Sequence, residues 1–305
     1  MSGIDRLSRL NVHMAPASRG QPKRAAPKGN FEDSWHYLGM DEYMGAEAKV
    51  IRDRCKAFAE YNNPLMYDYT ESSNFPHHLI PEFAKLGLVG ADMPKELGGK
   101  GMSCPEVGSF FWELAKKDAS LATFPLLHHS LGQYTVFKLA QPALRDKILK
   151  DTMSMKKILA WALTEPETGS DASNIMTTAK KVQGGYLLNG RKRWIGNATF
   201  ADYITCWARN EDDGNRIQCF LVRKGNPGLM TGKIERKMSL RAVQNADIIL
   251  TDYFVPDDER FELARDFATG TKEVLQHSRI FVAWIAAGMA AGACEAAFDY
   301  CKKRV

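Results

Sequence analysis

The sequence predicts an α+β chain in three parts: an N-terminal α-helical domain, a middle β-sandwich or barrel domain, and the start of a C-terminal helical bundle. Three observations carry this. Apolar residues recur at helical spacing from about Asp41 to Lys157. From Ile158 the pattern changes to short β-branched and aromatic runs bounded by Gly, Pro, Asn or Asp. After about Glu262 a long apolar helix begins. The implied boundaries are 1–35 for a basic tail, 36–157 for the helical domain, 158–262 for the β-domain and 263–305 for the first, truncated helix of the bundle.

The tail comes first. Residues 1–30 hold six basic side chains and one acid, whereas the remaining 275 residues carry 35 of each sign, so the formal charge of +5 belongs to the tail alone. A nucleic-acid role based on bulk charge therefore has no folded face to act from. Within the tail, "RLSRLNVHM" (Arg6 to Met14) has the form Arg-Leu, five residues, His and an apolar residue, with Leu7 and Leu10 on one helical side. It resembles an N-terminal peroxisomal targeting signal, with Met14 where Leu or Ala is usual. A mitochondrial presequence, also basic and poor in acids, is the alternative, and it would place the chain in the matrix.

In the helical third, "EAKVIRDRCKAFAEY" puts Val50, Cys55, Phe58 and Ala59 on one side, and "IPEFAKLG" ends at Gly87, a natural residue for a left-handed helix stop. "PEVGSFFWELAKK" and "SLGQYTVFKLA" continue the helical period. Five runs then read as strands: "KILAWALTEP", "GYLLNGRKRWIG", "ADYITCWARN", "IQCFLVRKG" and "ADIILTDYFVP". Asn189-Gly190 predicts a type I′ hairpin turn, because both residue types tolerate positive φ. In the last helix Gly288 and Gly292, four apart, predict close approach of another helix. Its longest apolar stretch, Ile280 to Cys294, is short for a membrane span and predicts a buried helix. Six cysteines without a C-x-x-C pair predict mostly buried, reduced thiols and neither a zinc site nor a disulfide framework.

Five stretches in order, "KELGGKG" (95–101), "LTEPETGSDAS" (163–173), "NGRKRWIGNATFAD" (189–202), "KMSLRAVQNADIILTDYFVP" (237–256) and the helix from Ser278-Arg279, resemble the acyl-CoA dehydrogenase and oxidase flavoprotein family. "WIGNATFAD" and "SLRAVQNADIIL" are most similar to plant-type peroxisomal short-chain acyl-CoA oxidases, with glutaryl-CoA dehydrogenases next. The resemblance implies FAD, with the Leu163 backbone and the Thr164 hydroxyl facing the isoalloxazine. Gly169 and Ser170 would lie beside the pyrophosphate, and Trp161, Trp194, Ile195 and Gly196 would line the ring system. It implies acyl-CoA contacts for Ser170 and Arg279, and a reach to the partner subunit's FAD for Arg304 in a homo-oligomer. Glu165 and Asp171, wrong in sign for an anion, are expected to fix the loop by hydrogen bonds.

The implied activity is α,β-dehydrogenation of a short- to medium-chain acyl-CoA to the trans-2-enoyl-CoA, in fatty acid β-oxidation. Many of the dehydrogenases carry Thr where this chain has Gly196. One reading is that the missing side chain opens space for O2 and makes the chain an oxidase; the other is that a backbone amide takes over the role. Coupling to an electron-transfer flavoprotein is the alternative acceptor. Ala122 stands where glutaryl-CoA dehydrogenase has an arginine, and alanine cannot clamp a distal carboxylate, so a monocarboxylic acyl group is expected. Phe124 and Leu126 are pocket or core residues, and His128 and His129 packed or solvated ones.

The resemblance places the catalytic glutamate beyond Val305, and Ser278 stands where some relatives carry the base, so no catalytic residue is assigned. A helix apolar nearly all round is expected to leave Phe281, Val282, Trp284, Ile285, Met289 and Phe298 in want of cover. An inactive homologue serving as a binding or structural subunit is therefore a third reading.

Overall fold

A computed structural model describes residues 33–304; the tail motif Arg6 to Met14 lies outside them. Eight α-helices are described: α1 (Ser34–Tyr37), α2 (Ala46–Ser72), α3 (Ile80–Leu86), α4 (Cys104–Lys117), α5 (Ala119–Pro125), α6 (Tyr134–Leu139), α7 (Pro142–Thr152) and α8 (Thr271–Lys303). A π-helix, Leu126–Gln133, joins α5 to α6. The strands are β1 (Leu159–Ala162), β2 (Thr178–Val182), β3 (Gly185–Gly196), β4 (Tyr203–Asn210), β5 (Arg216–Arg223), β6 (Leu229–Lys233) and β7 (Asn245–Pro256).

Helix α4 is the centre of the helical part, buried without a break from Val107 to Lys116, with α2 and α8 packed against it. Its start is fixed by Glu106, which accepts from the Ser103 amide and from the Gly45 amide just before α2. On α2 the buried stripe runs Ala48, Ile51, Cys55, Ala59 and Met66. Val50, expected inside, points outward: the stripe is centred on Ile51 and Cys55, and Val50 lies about 100° away around the helix. Gly87 ends α3 at φ 86°, as its sequence position predicts.

Long and apolar enough to cross a membrane, α8 nevertheless packs one face on α4. That packing depends on the two glycines. A Cβ at Gly288 would stand 2.6 Å from the Trp112 carbonyl oxygen, and one at Gly292 2.1 Å from that of Lys116. Phe281 and Ile285, expected to need cover, are buried in this seam, and Trp284 joins Trp35 and Trp112 with ring centroids 5.8–6.2 Å apart. Val282, Met289 and Phe298 face outward, so the helix is buried along one stripe only and not all round. Cys294 and Cys301 are exposed on it, against expectation, while Cys55, Cys206 and Cys219 are buried.

The strands form a single sheet in the order β1-β4-β2-β3-β7-β6, with β5 along the other side of β4. Strands β1 and β2 pair in parallel with different stretches of β4, β1 with Tyr203–Cys206 and β2 with Arg209 and Asn210. The segment between them, 163–177, must leave the sheet and return. Asn189-Gly190 is not a turn: it lies inside β3, at a bulge opposite β7, where Asn189 exchanges hydrogen bonds with Asp252. The β2–β3 hairpin turns instead at Gln183-Gly184, with Gly184 at φ 78°. Bulge and turn place similar demands on the backbone, so the dipeptide alone does not separate them.

His128 and His129, on the π-helix, are both fully buried. The Leu159 amide donates to His128 Nδ1, so its proton sits on Nε2 and is given to the Thr152 carbonyl. Burial pushes this imidazole down to about 4, the Thr152 contact offsetting only part of the effect. The unfolded chain, with an ordinary histidine near 6.5, therefore binds the proton first on acidification. Stability should fall as pH drops from about 6.5 to 4, by about 3 kcal/mol from this residue. Chemical denaturation across that window checks it: His128→Gln should flatten the slope, and an unchanged slope would refute the assignment.

Candidate functional site

The segment 163–177 is held from below by a buried ion pair. Glu165, 3% exposed, accepts from Lys192 Nζ at 2.8 Å, from the Thr177 amide at 2.9 Å, and from the Thr177 hydroxyl and Met176 amide. Burial would raise its carboxyl, but the Lys192 ammonium and the three hydrogen bonds outweigh burial and hold it below its usual value. Lys192 is fully buried and also donates to the Leu163 carbonyl at 3.1 Å. The Arg193 amide adds a bond to the Thr164 carbonyl at 2.8 Å. Asp171 is engaged by Ser173 and Asn174. Glu165 and Asp171 are thus spent on the loop itself, whereas Glu167, the third carboxylate of the segment, is exposed and makes no ion pair among the described residues.

These bonds bring several of the expected residues together. Leu163 and Thr164 lie beside Arg193, and Trp194, Ile195 and Gly196 follow at the end of β3. Trp194 is half exposed at φ 63°, with the Arg193 guanidinium 5.3 Å from its ring centre. Positive φ at a bulky residue is costly and marks a position the surroundings over-determine. Trp161 is half buried, its ring edge-on to Trp207 at 6.2 Å. Gly169 and Ser170 are exposed, and no protein atom lies within 4 Å of a Cβ at Gly169. Packing therefore does not demand glycine there.

The donor set fits a flavin dinucleotide. Trp161 Nε1 and Thr168 Oγ1 are buried without a partner, and the Thr164 hydroxyl makes no hydrogen bond among the described residues. Unpaired donors and open backbone suit an electron-rich heterocycle and a phosphate.

Other expected residues are not drawn in. Arg279 is exposed on α8, Arg304 is exposed just past its end, and neither makes an ion pair among the described residues. Ala122, Phe124 and Leu126 are buried core. Gly196 does not leave a gap. A Cβ there would stand 2.3 Å from Leu127 Cδ1, so that side chain already occupies the space. Neither Leu127 nor Lys192 was expected in the site: a leucine in an apolar helix and a lysine in a strand give no local signal.

A second cluster lies apart from this loop. Asp92 touches His129 Nε2 and His277 Nε2, each at 3.1 Å, and His277 stacks on Tyr134 with ring centroids 3.6 Å apart. Asp92, His277 and Tyr134, with Cys104, Phe137 and Phe281, line a cavity of about 390 Å³. The two imidazoles and the hydrogen bonds they offer hold the Asp92 carboxyl far below the usual range, although burial alone would raise it. The cluster ties the π-helix to α8.

Two family descriptions match: "Acyl-CoA dehydrogenase, N-terminal domain" over residues 45–156 and "Acyl-CoA dehydrogenase, middle domain" over 160–253. The chain belongs to the acyl-CoA dehydrogenase family. Among curated relatives, it is 32% identical to benzylmalonyl-CoA dehydrogenase of Aromatoleum aromaticum over 87% of this chain and 71% of that protein. It is 33% identical to the caffeyl-CoA reductase-Etf complex subunit CarC of Acetobacterium woodii, over 86% and 70%. Among solved structures, a glutaryl-CoA dehydrogenase from Mycobacterium smegmatis in complex with FADH2 superposes with a TM-score of 0.83 at 26% identity, covering 88% of this chain and 68% of that one.

Proposed function

We propose that the chain binds FAD over the 163–177 loop and serves the α,β-dehydrogenation of an acyl-CoA thioester, with a protein and not O2 as electron acceptor. The observation that carries the reading is the loop itself: Glu165 is turned into the protein, and the Trp161 Nε1 and Thr168 Oγ1 donors are left without a protein partner. Family membership and the FADH2 of the glutaryl-CoA dehydrogenase support the cofactor. CarC, named as a subunit of a reductase-Etf complex, supports a flavoprotein acceptor, and the side chain seated on Gly196 argues against an oxidase. Ala122 in place of an arginine supports a monocarboxylic acyl group; a short to medium chain and assembly as a homo-oligomer belong to the same reading.

When bound, FAD supplies the hydride acceptor. The chain's own part is to hold it: Thr164 and Trp161 offer donors to the ring, Gly169 and Ser170 open backbone to the phosphates, and Glu165 with Lys192 keeps the loop in shape. Ser278 donates to the Leu275 carbonyl and offers no base. The test is an absorption spectrum of the purified chain after incubation with FAD, then with butyryl-CoA under anaerobic conditions. A bound-flavin spectrum that butyryl-CoA perturbs is expected. No flavin uptake would overturn the cofactor assignment, and a flavin indifferent to acyl-CoA would overturn the substrate.

A further inference from the structure

At Gly196 the sequence promises an opening and the structure supplies a stopper. Leu127 Cδ1 and Cδ2 would stand 2.3 and 3.3 Å from a Cβ at this position. Its neighbours Leu126, His128 and His129 are all buried, whereas Leu127 is half buried. The two residues are held in register from both sides. His128 accepts from the Leu159 amide at 3.1 Å, and Asn197 Nδ2 approaches the Leu159 and Phe124 carbonyls at 3.4 Å each. The π-helix and the end of β3 are thereby pinned to the same strand residue, and Leu127 is delivered to Gly196 by that scaffold. Only van der Waals contact holds its side chain, so the stopper can be shortened without unpairing a polar group.

We propose that Leu127 is an oxygen gate: it closes the space that Gly196 leaves at the edge of the flavin and so keeps O2 from the reduced cofactor. The proposal rests on the FAD reading above. The step it suppresses is transfer of two electrons and two protons from reduced flavin to O2, which oxidises the flavin and yields hydrogen peroxide. A chain with the gate shut retains its electrons for a protein acceptor. Leu127 is a positioning residue here and takes no part in bond making.

The test needs no substrate and no catalytic base. The FAD-loaded chain is photoreduced anaerobically with light and EDTA, then mixed with oxygenated buffer while flavin absorbance and peroxide are followed. Leu127→Ala is expected to reoxidise about tenfold faster than the wild type, a barrier change of about 1.4 kcal/mol. Leu127→Val, a smaller opening that retains more of the packing, should fall between them. The double variant Leu127→Ala with Gly196→Thr refills the space from the opposite side and should return the rate toward wild type. Variants with a normal bound-flavin spectrum and an unchanged rate would overturn the gate alone, as would a double variant no slower than Leu127→Ala. A wild-type chain that takes up no flavin would overturn the FAD reading and the gate with it.

Discussion

Glu165→Ala should cost the protein about 3–5 kcal/mol, the penalty for stranding one member of a buried ion pair. The substitution leaves the Lys192 ammonium fully buried with the Leu163 carbonyl as its remaining hydrogen-bond partner among the described residues, and it deprives the Thr177 amide and hydroxyl and the Met176 amide of their acceptor. For a chain of this size the melting temperature should drop by about 10 °C. Flavin uptake should fail alongside, because the segment 163–177 loses its anchor. Replacing both partners, Glu165→Leu with Lys192→Met, removes the stranded charge and should recover much of the stability without restoring the loop. Thermal melts of the three chains, read beside flavin retention, decide it; equal melting temperatures for wild type and Glu165→Ala would show that the pair is not structural.

The second large effect concerns a methyl group. Gly292→Ala in an open helix would stabilise by about 1 kcal/mol, since glycine is the poorer helix former. Here the new Cβ would stand 2.1 Å from the Lys116 carbonyl oxygen, and the obstacle is backbone, not a side chain that can swing away. Overpacking of this kind costs about 1–3 kcal/mol and should outweigh the propensity gain. Helix α8 would have to move off α4, loosening the Lys116–Glu295 ion pair of 2.8 Å, the Ser34 hydroxyl bond to Glu295 and the three-tryptophan cluster. Lower thermal stability with a changed near-ultraviolet tryptophan signal is the expected result. A more stable variant with an unchanged signal would mean that the seam has slack, and Gly288→Ala beside Trp112 gives an independent repeat.

Much of this was legible in the sequence because the signals are local. The change from helical to strand period, Gly87 as a helix stop, the paired glycines of α8 and the use of Glu165 to fix its own loop all depend on residues close together in the chain. What the sequence concealed depends on partners far apart. Gly196 reads as a void until Leu127 is brought across from the π-helix, and Lys192 reads as a surface lysine until Glu165 meets it. Asn189-Gly190 misleads for another reason, since Asn189 uses its side chain across the sheet to Asp252. The outward and inward faces of α8 were equally obscure: a helix apolar all round does not say which stripe its neighbour will cover.

The π-helix has a consequence for how the segment tolerates changes in length. Its i→i+5 bonding accommodates an extra residue in the winding, and three successive side chains there serve three different neighbours: Leu127 the end of β3, His128 the β1 backbone, and His129 the loop at Asp92. Deleting one residue would let the stretch relax into ordinary α-winding and turn the side chains beyond it by about 100° relative to those before. All three contacts would be handed to the wrong residues together. Single substitutions here trade one contact at a time, but the count of residues is shared by all of them, so this short stretch fixes a spacing as well as a surface.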